Sequence, residues 1–245
     1  MVMQDKTAAI IVIGNEILSG KVVDTNAAFL CRELRTLGVA LRRILVIPDE
    51  LEAIAEAVCA YKPAFDVLFT SGGVGPTHDD VTMAGIALAL NRRVIRHPLL
   101  EEKIRAFSGD KMNEARLKLA EVPEGAELIF AGDVTFPTVM IENIYILPGI
   151  PEIFRDKFMA IKSRFAVDPY FMRVVYTRTA ESTIAQYLNR TLEAFPLVQL
   201  GSYPKLGDPE YRVRVTLESK DPEYVTRAFE HLMALLPADA VVRTE

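Results

Sequence analysis

Apolar positions run along this chain in two alternating rhythms. Residues 7–13 are an unbroken apolar stretch rich in Ile, the mark of a strand buried on both faces. Residues 26–37 then repeat apolar side chains at helical spacing. Ala27, Leu30, Cys31, Leu34 and Leu37 share one face, Asp24 or Thr25 supplies the cap, and Gly38 supplies the stop. The alternation continues with a strand at 39–47, a helix at 50–61 carrying Leu51, Ile54, Ala55 and Val58 inward, a strand at 66–70 and a helix at 81–90. Helices over 98–107 and 111–120 follow, then strands over 127–131, 138–142 and 144–147, and an amphipathic helix over 150–165. Strands alternating with helices predict a mostly parallel sheet with helices on both faces, a three-layer α/β/α domain over residues 1–168.

Asp168-Pro169 breaks the pattern. Beyond it come a strand (171–178), a helix (181–193), two strands (197–203 and 211–218) around a Pro- and Gly-containing turn, a helix (222–236) and a short strand (240–243). The order βαββαβ is the ferredoxin-like unit, so 169–245 is expected to be a small α/β second domain.

The most informative loop joins the third strand to the helix at 81–90 and reads TSGGVGPTHDD over residues 70–80. Gly72, Gly73 and Gly75 let the backbone adopt unusual dihedrals and approach a ligand closely. The helix that follows directs N–H groups and partial positive charge into the turn, which suits a phosphate. Asp79 and Asp80 lie at the same end and would repel a phosphate unless a divalent cation lay between. A plain helix cap is the other reading of either Asp. The loop lacks the Lys of a P-loop and the third Gly of a dinucleotide fingerprint.

The chain has 245 residues, half of them hydrophobic, enough for a sizeable core in one large or two small domains. A net charge of −5 with no basic tract argues against a nucleic-acid partner. No apolar run is long enough for a bilayer, and the opening MVMQDKTAA lacks the zones of a signal peptide. The expectation is a cytoplasmic protein without a membrane partner. Cys31 and Cys59 read as buried free thiols. His78, His97 and His231 are scattered, with no CxxC or HExxH, so a zinc site of Cys and His is not expected.

Five segments occur in order: GNEILSG (14–20), DTN (24–26), TSGGVGPTHDDVT (70–82), NEARLKLAEVPEGA (113–126) and YILPGIP (145–151). Together they resemble the molybdopterin-binding fold of the MoaB/MogA proteins, of the N-terminal domain of CinA-type competence/damage-inducible proteins and of the N-terminal domain of eukaryotic FAD synthases. The resemblance implies that Ser71, Gly72, Gly73, Gly75 and Thr77 bind a phosphate or pyrophosphate, with Asp80 as the key carboxylate and Asp79 beside it. It also implies that Asp49 is a second acidic site residue, that Gly14, Asn15 and Glu16 line the same cleft, and that Pro148, Gly149 and Pro151 close one wall. Residues 130–138 depart from the CinA pattern at this place.

Other candidates carry two readings each. Glu16 orients a metal-held water or solvates a loop. Asn113, Arg116 and Lys118 fall on one predicted helix, where Asn113 and Arg116 share a face, and are phosphate contacts or an exposed charged face. His78 is a ligand contact or a solvated loop residue. The resemblance implies a metal-dependent hydrolase of ADP-ribose or FAD-like dinucleotides, with Mg²⁺, Mn²⁺ or Co²⁺ on Asp79 and Asp80. The alternative is a binder or adenylylator of molybdopterin in molybdenum-cofactor metabolism. A homo-oligomer is expected, dimer before trimer.

Overall fold

The structure, a computed structural model, describes residues 6–132 and 135–245. The first residues and Asp133-Val134, part of the segment that departs from the CinA pattern, lie outside the described residues. The chain divides into two compact units, one ending at Val167 and the other beginning at Asp168.

The first unit runs β1 (Thr7–Ile13), α1 (Asn15–Leu18), α2 (Asn26–Thr36), β2 (Ala40–Ile47), α3 (Leu51–Tyr61), β3 (Val67–Ser71), α4 (Thr82–Ala89), β4 (Val94–Arg96), α5 (Pro98–Ser108), α6 (Glu114–Lys118), β5 (Glu121–Pro123), β6 (Glu127–Ile129), β7 (Thr138–Ile141), β8 (Ile144–Leu147) and α7 (Pro151–Ile161). The main sheet has the order β2-β1-β3-β8-β7-β6. The β2–β1, β1–β3 and β3–β8 pairs are parallel, and β8–β7 and β7–β6 are antiparallel. The unbroken apolar run of β1 is explained by its position. Ala9, Ile11 and Ile13 enter one core with Ile54 and Val58 of α3, Ile86 of α4 and Leu100 and Ile104 of α5. Ala8, Ile10 and Val12 enter the other with Leu30 and Leu34 of α2 and Phe154 and Phe158 of α7. A strand at the centre of a three-layer unit has no solvent side and so no polar alternation.

Two expectations are corrected. Residues 111–120 are not one helix: a 3₁₀ turn at Gly109–Lys111 precedes the short α6, and β5 follows, pairing with the unforeseen β4 in a small antiparallel ladder. Nor are the cysteines buried, since Cys31 is half-buried and Cys59 exposed. With Ile54, Ala55 and Val58 directed into the core, Cys59 turns to the flank of α3, where its thiol donates to the Ala89 carbonyl at 3.5 Å.

The second unit runs β9 (Phe171–Thr177), α8 (Glu181–Ala194), β10 (Gln199–Pro204), β11 (Val213–Ser219), α9 (Pro222–Leu235) and β12 (Val241–Thr244). Its sheet is antiparallel, ordered β10-β11-β9-β12, the ferredoxin-like arrangement. Pro204 ends β10, an edge strand, where a missing N–H breaks no ladder. Ile184 and Leu188 of α8 and Val225, Ala228 and Leu232 of α9 pack on Val175, Val215 and Leu217 to form its own core.

Candidate functional site

From β1 the chain crosses to β2 on one side of the sheet and reaches β3 on the other. Such a reversal opens a crevice at the carboxyl ends of the two strands, the usual ligand position in open α/β sheets. GNEILSG leaves β1 there, and the glycine loop leaves β3.

Backbone contacts seat both loops. The Gly14 N–H donates to the Ile47 carbonyl at 3.1 Å, and the Gly72 N–H to the Leu147 carbonyl at 3.2 Å. Gly72 and Gly73 lie at φ +103° and +64°, the left-handed side of the map. Thr82, the first residue of α4, clasps the loop: its N–H reaches the Gly73 carbonyl at 3.0 Å and its hydroxyl the Gly72 carbonyl at 2.9 Å. Gly149 packs on Gly72 so closely that an added Cβ would lie 3.3 Å from the Gly72 Cα. This contact brings the LPG turn, with Pro148, against the loop.

Asn26, present in the DTN segment but given no role there, joins three of the five motifs. Its side chain is buried, and its amide donates to Ser71 Oγ at 3.0 Å and to the Gly149 carbonyl at 2.8 Å. Its Oδ1 is buried with no partner among the described residues. Asp24 is the helix cap, its oxygens accepting from the Asn26 N–H at 3.0 Å and the Ala27 N–H at 3.2 Å. Asn26→Ala would leave Ser71 and Gly149 without their buried donor. We expect a loss of about 2 kcal/mol in urea unfolding; a change under 0.5 kcal/mol would show that the amide does not hold the motifs together.

The acidic residues divide. Asp80 Oδ2 accepts from the Thr77 N–H at 2.8 Å and from the Thr77 hydroxyl, and an added Cβ on Gly75 would lie 2.6 Å from it. Asp79, next in the chain, is exposed and has its Oδ1 3.9 Å from His78 Nδ1. Asp49 Oδ2 accepts from the Asn15 N–H at 2.7 Å, tying the loop after β2 to the start of α1. Glu16 is exposed, its carboxylate lying over Gly14, where an added Cβ would be 2.7 Å from Oε1. Among the described residues no three His, Cys, Asp or Glu side chains converge into a ready-made metal cage.

A cavity of about 110 Å³ beside the loop is lined by Gly73, Val74, Gly75, Asp80, Met83, Ala84, Lys118 and Glu121, among others. Met83 and Ala84 stand in the first turn of α4, whose N–H groups find no acceptor within the helix. Lys118 donates its ammonium to the Thr77 carbonyl, setting a positive charge at the loop tip. The structure thus separates the residues grouped on the fourth motif. Asn113 caps α6, accepting from the Arg116 N–H at 2.9 Å, and the Arg116 guanidinium donates to Ser108 Oγ at 3.0 Å. Neither lines this cavity, whereas Lys118 does. In sequence the three are equivalent cations and polar groups on one short segment; the turn that ends α6 selects among them.

Sharing lining residues with this cavity is a second, of about 190 Å³, whose single charged lining residue among the described residues is Lys157 of α7. Its ammonium donates to the Phe136 carbonyl at 2.8 Å and the Pro137 carbonyl at 2.5 Å. Burial lowers Lys157 from the ordinary 10.5 to about 8. Between those values the unfolded chain binds the proton that the folded chain has lost, so Lys157 makes stability rise with pH there, with no slope below. The stability of the wild type relative to Lys157→Met should therefore climb between pH 8 and pH 10.5. A flat difference in denaturant unfolding across that window would refute the burial.

Residues 9–166 match the family described as "Probable molybdopterin binding domain", and residues 169–245 match that described as "FAD synthase, middle domain". The chain is 37% identical over 227 residues to a protein of Archaeoglobus fulgidus, covering 93% of this chain and 96% of that one. It is 35% identical to a "Probable FAD synthase" of Caenorhabditis elegans, covering 97% of this chain and 51% of the relative. The chain thus spans about half the length of that FAD synthase. The protein CinA of Thermoplasma acidophilum, a protein of unknown function, superposes with a TM-score of 0.61 at 31% identity, over 66% of this chain and 98% of that one.

Proposed function

We propose, since this chain belongs to the family of probable molybdopterin binding domains, that it binds the phosphate or pyrophosphate of a nucleotide or pterin at the glycine loop and, with a divalent cation, hydrolyses ADP-ribose or FAD-like dinucleotides. One observation carries the reading. The first turn of α4, the Lys118 ammonium and the Asp80 carboxylate border one cavity beside the glycine loop that leaves β3.

Amides and an ammonium without a carboxylate would make a simple anion site. The addition of Asp80 suits a cation shared with the ligand's own phosphate oxygens, the mode in which Mg²⁺ binds through one or two carboxylates. The absence of a three-ligand cage among the described residues fits such a shared ion better than a resident one. With Oδ2 committed to Thr77, Asp80 would offer Oδ1, and Asp79 would offer a second carboxylate from the exposed flank. Mn²⁺ and Co²⁺ fit the same oxygens. When bound, the ion supplies Lewis acidity toward a phosphoryl oxygen. The loop amides and Lys118 neutralise phosphate charge; Glu16, exposed over Gly14 and outside the lining of this cavity, would orient the attacking water from the neighbouring loop. The water oxygen bonds to phosphorus as the bridging P–O bond breaks, so FAD yields FMN and AMP, and ADP-ribose yields ribose 5-phosphate and AMP. The Caenorhabditis relative, named a probable FAD synthase, supports a flavin dinucleotide among the substrates.

The family match also favours a second reading, a molybdopterin-binding or pterin-adenylylating protein. Turnover of FAD, ADP-ribose and ATP plus molybdopterin, each with Mg²⁺, Mn²⁺ and Co²⁺, separates the two. Metal-dependent AMP release from FAD or ADP-ribose is the expected result. Transfer of AMP to the pterin, or pterin binding without any cleavage, would overturn hydrolysis. Assembly as a homodimer, or failing that a trimer, belongs to the same proposal, and a single-chain mass by light scattering at micromolar concentration would end it. No helix among the described residues is long and apolar enough to cross a membrane.

A further inference from the structure

We propose that the apolar cavity behind the glycine loop is a ring site, taking a fused heteroaromatic ring that carries a carbonyl on its edge, with the Lys157 ammonium donating to that carbonyl. The proposal rests on the phosphate reading of the neighbouring loop and names the other end of the same ligand where that ligand is a flavin or pterin nucleotide, ADP-ribose having only an adenine ring.

Three observations carry it. The cavity adjoins the phosphate site, since Val74, Met83 and Leu119 line both. A ligand phosphate at the loop and a ring in the cavity are therefore within reach of each other. The space measures about 190 Å³, and Phe136, Ile153 and Lys157 also line an adjoining cavity of about 760 Å³, so volume admits a ring system without limiting the ligand to one. Its wall is otherwise apolar, with Leu100, Ile104 and Ile146 among its lining, which suits the faces of a ring.

Lys157 then selects the edge. An ammonium has three N–H donors and no acceptor. Two go to the Phe136 and Pro137 carbonyls, which fix the side chain, and among the described residues no acceptor takes the third. The complementary group must accept, and in an apolar site an unmatched donor or acceptor is penalised heavily. An oxo-substituted ring meets that need, whereas the amino group of adenine presents donors to a donor. Lys157 lowered to about 8 still carries its proton at neutral pH. Flavins, pterins and 6-oxopurines share the chemistry.

Calorimetric titration of the full chain tests this with IMP and AMP, which differ at the C6 substituent, oxo against amino, and in the N1 proton that accompanies the oxo form. FMN and 6-hydroxymethylpterin phosphate separate a flavin source from a pterin one, and ribose 5-phosphate reports the phosphate site alone. IMP and at least one of FMN and the pterin should bind about tenfold or more tighter than AMP. In Lys157→Met the gap should close to within about twofold, with AMP and ribose 5-phosphate affinities little changed; Lys157→Gln, which keeps a donor, should retain part of it. Equal binding of IMP and AMP by the wild type overturns the proposal without any variant. So does a folded Lys157→Met that discriminates as before. Ring discrimination without cleavage of FAD or ADP-ribose would remove the hydrolase reading and leave the ring site standing, and cleavage without discrimination would do the reverse.

Discussion

Asp80→Asn is expected to lower metal-dependent cleavage of FAD or ADP-ribose by roughly a hundredfold or more while the protein stays folded. Asn retains an oxygen in place of Oδ2, so it can still accept from the Thr77 N–H and keep the loop closed. What it removes is the negative charge beside the cavity of Lys118 and the α4 N-terminus. Without that charge a divalent cation has one fewer carboxylate to bind, and the loss should appear as a raised metal requirement as well as a fallen rate. Asp79→Asn should have a smaller effect, because Asp79 turns toward His78 and solvent. Measured rates at saturating Mg²⁺, Mn²⁺ and Co²⁺, alongside melting curves, decide the matter. Full activity with unchanged metal dependence in Asp80→Asn would make the carboxylate a loop fastener only and would advance the pterin-binding reading.

Gly72→Ala should produce the largest loss of stability, on the order of 3 kcal/mol or more, together with loss of phosphate binding. Two costs add. At φ +103° an Ala backbone is strained, and its Cβ would run into the carbonyl oxygen of Ile13 at the end of β1. That oxygen belongs to the sheet core and cannot move aside as a side chain could. Gly20→Ala is the matched control: φ is +72° there, but nothing lies within 4 Å of the added carbon, so only the backbone strain of about 1 kcal/mol remains. At roughly 2–4 °C per kcal/mol for a unit of this size, the melting temperature should fall about 6–12 °C for Gly72→Ala and a few degrees for Gly20→Ala. Equal shifts would mean that the loop does not press on β1.

The features legible in sequence are those that local physics imposes. The Ile-rich run of β1 announced a strand with no wet face, and the glycines after β3 announced a turn with positive φ, because only glycine adopts it freely. The helical stripe of α2 and its Asp24 cap could be read one turn at a time. The three-residue strands β4 and β5 could not, since three residues hold too little periodicity to separate strand from loop. Cys59 was misplaced because a helix of such apolar composition leaves the edge of its buried stripe undefined until a neighbour covers it.

The site divides along the same line. The sequence by itself determined the strand–turn–helix units, the division into an α/β/α unit and a ferredoxin-like one, and the glycine loop with its two aspartates, because each depends on neighbours in the chain. Only the tertiary structure decided that β1 and β3 lie side by side with their loops together, that Asn26 reaches Ser71 across 45 residues and Gly149 across 123, and that Lys118 rather than Arg116 lines the cavity beside the loop. It alone placed Lys157 in an apolar wall. A lysine on an amphipathic helix ordinarily extends its head into water; here it meets two carbonyls of the segment that leads into β7.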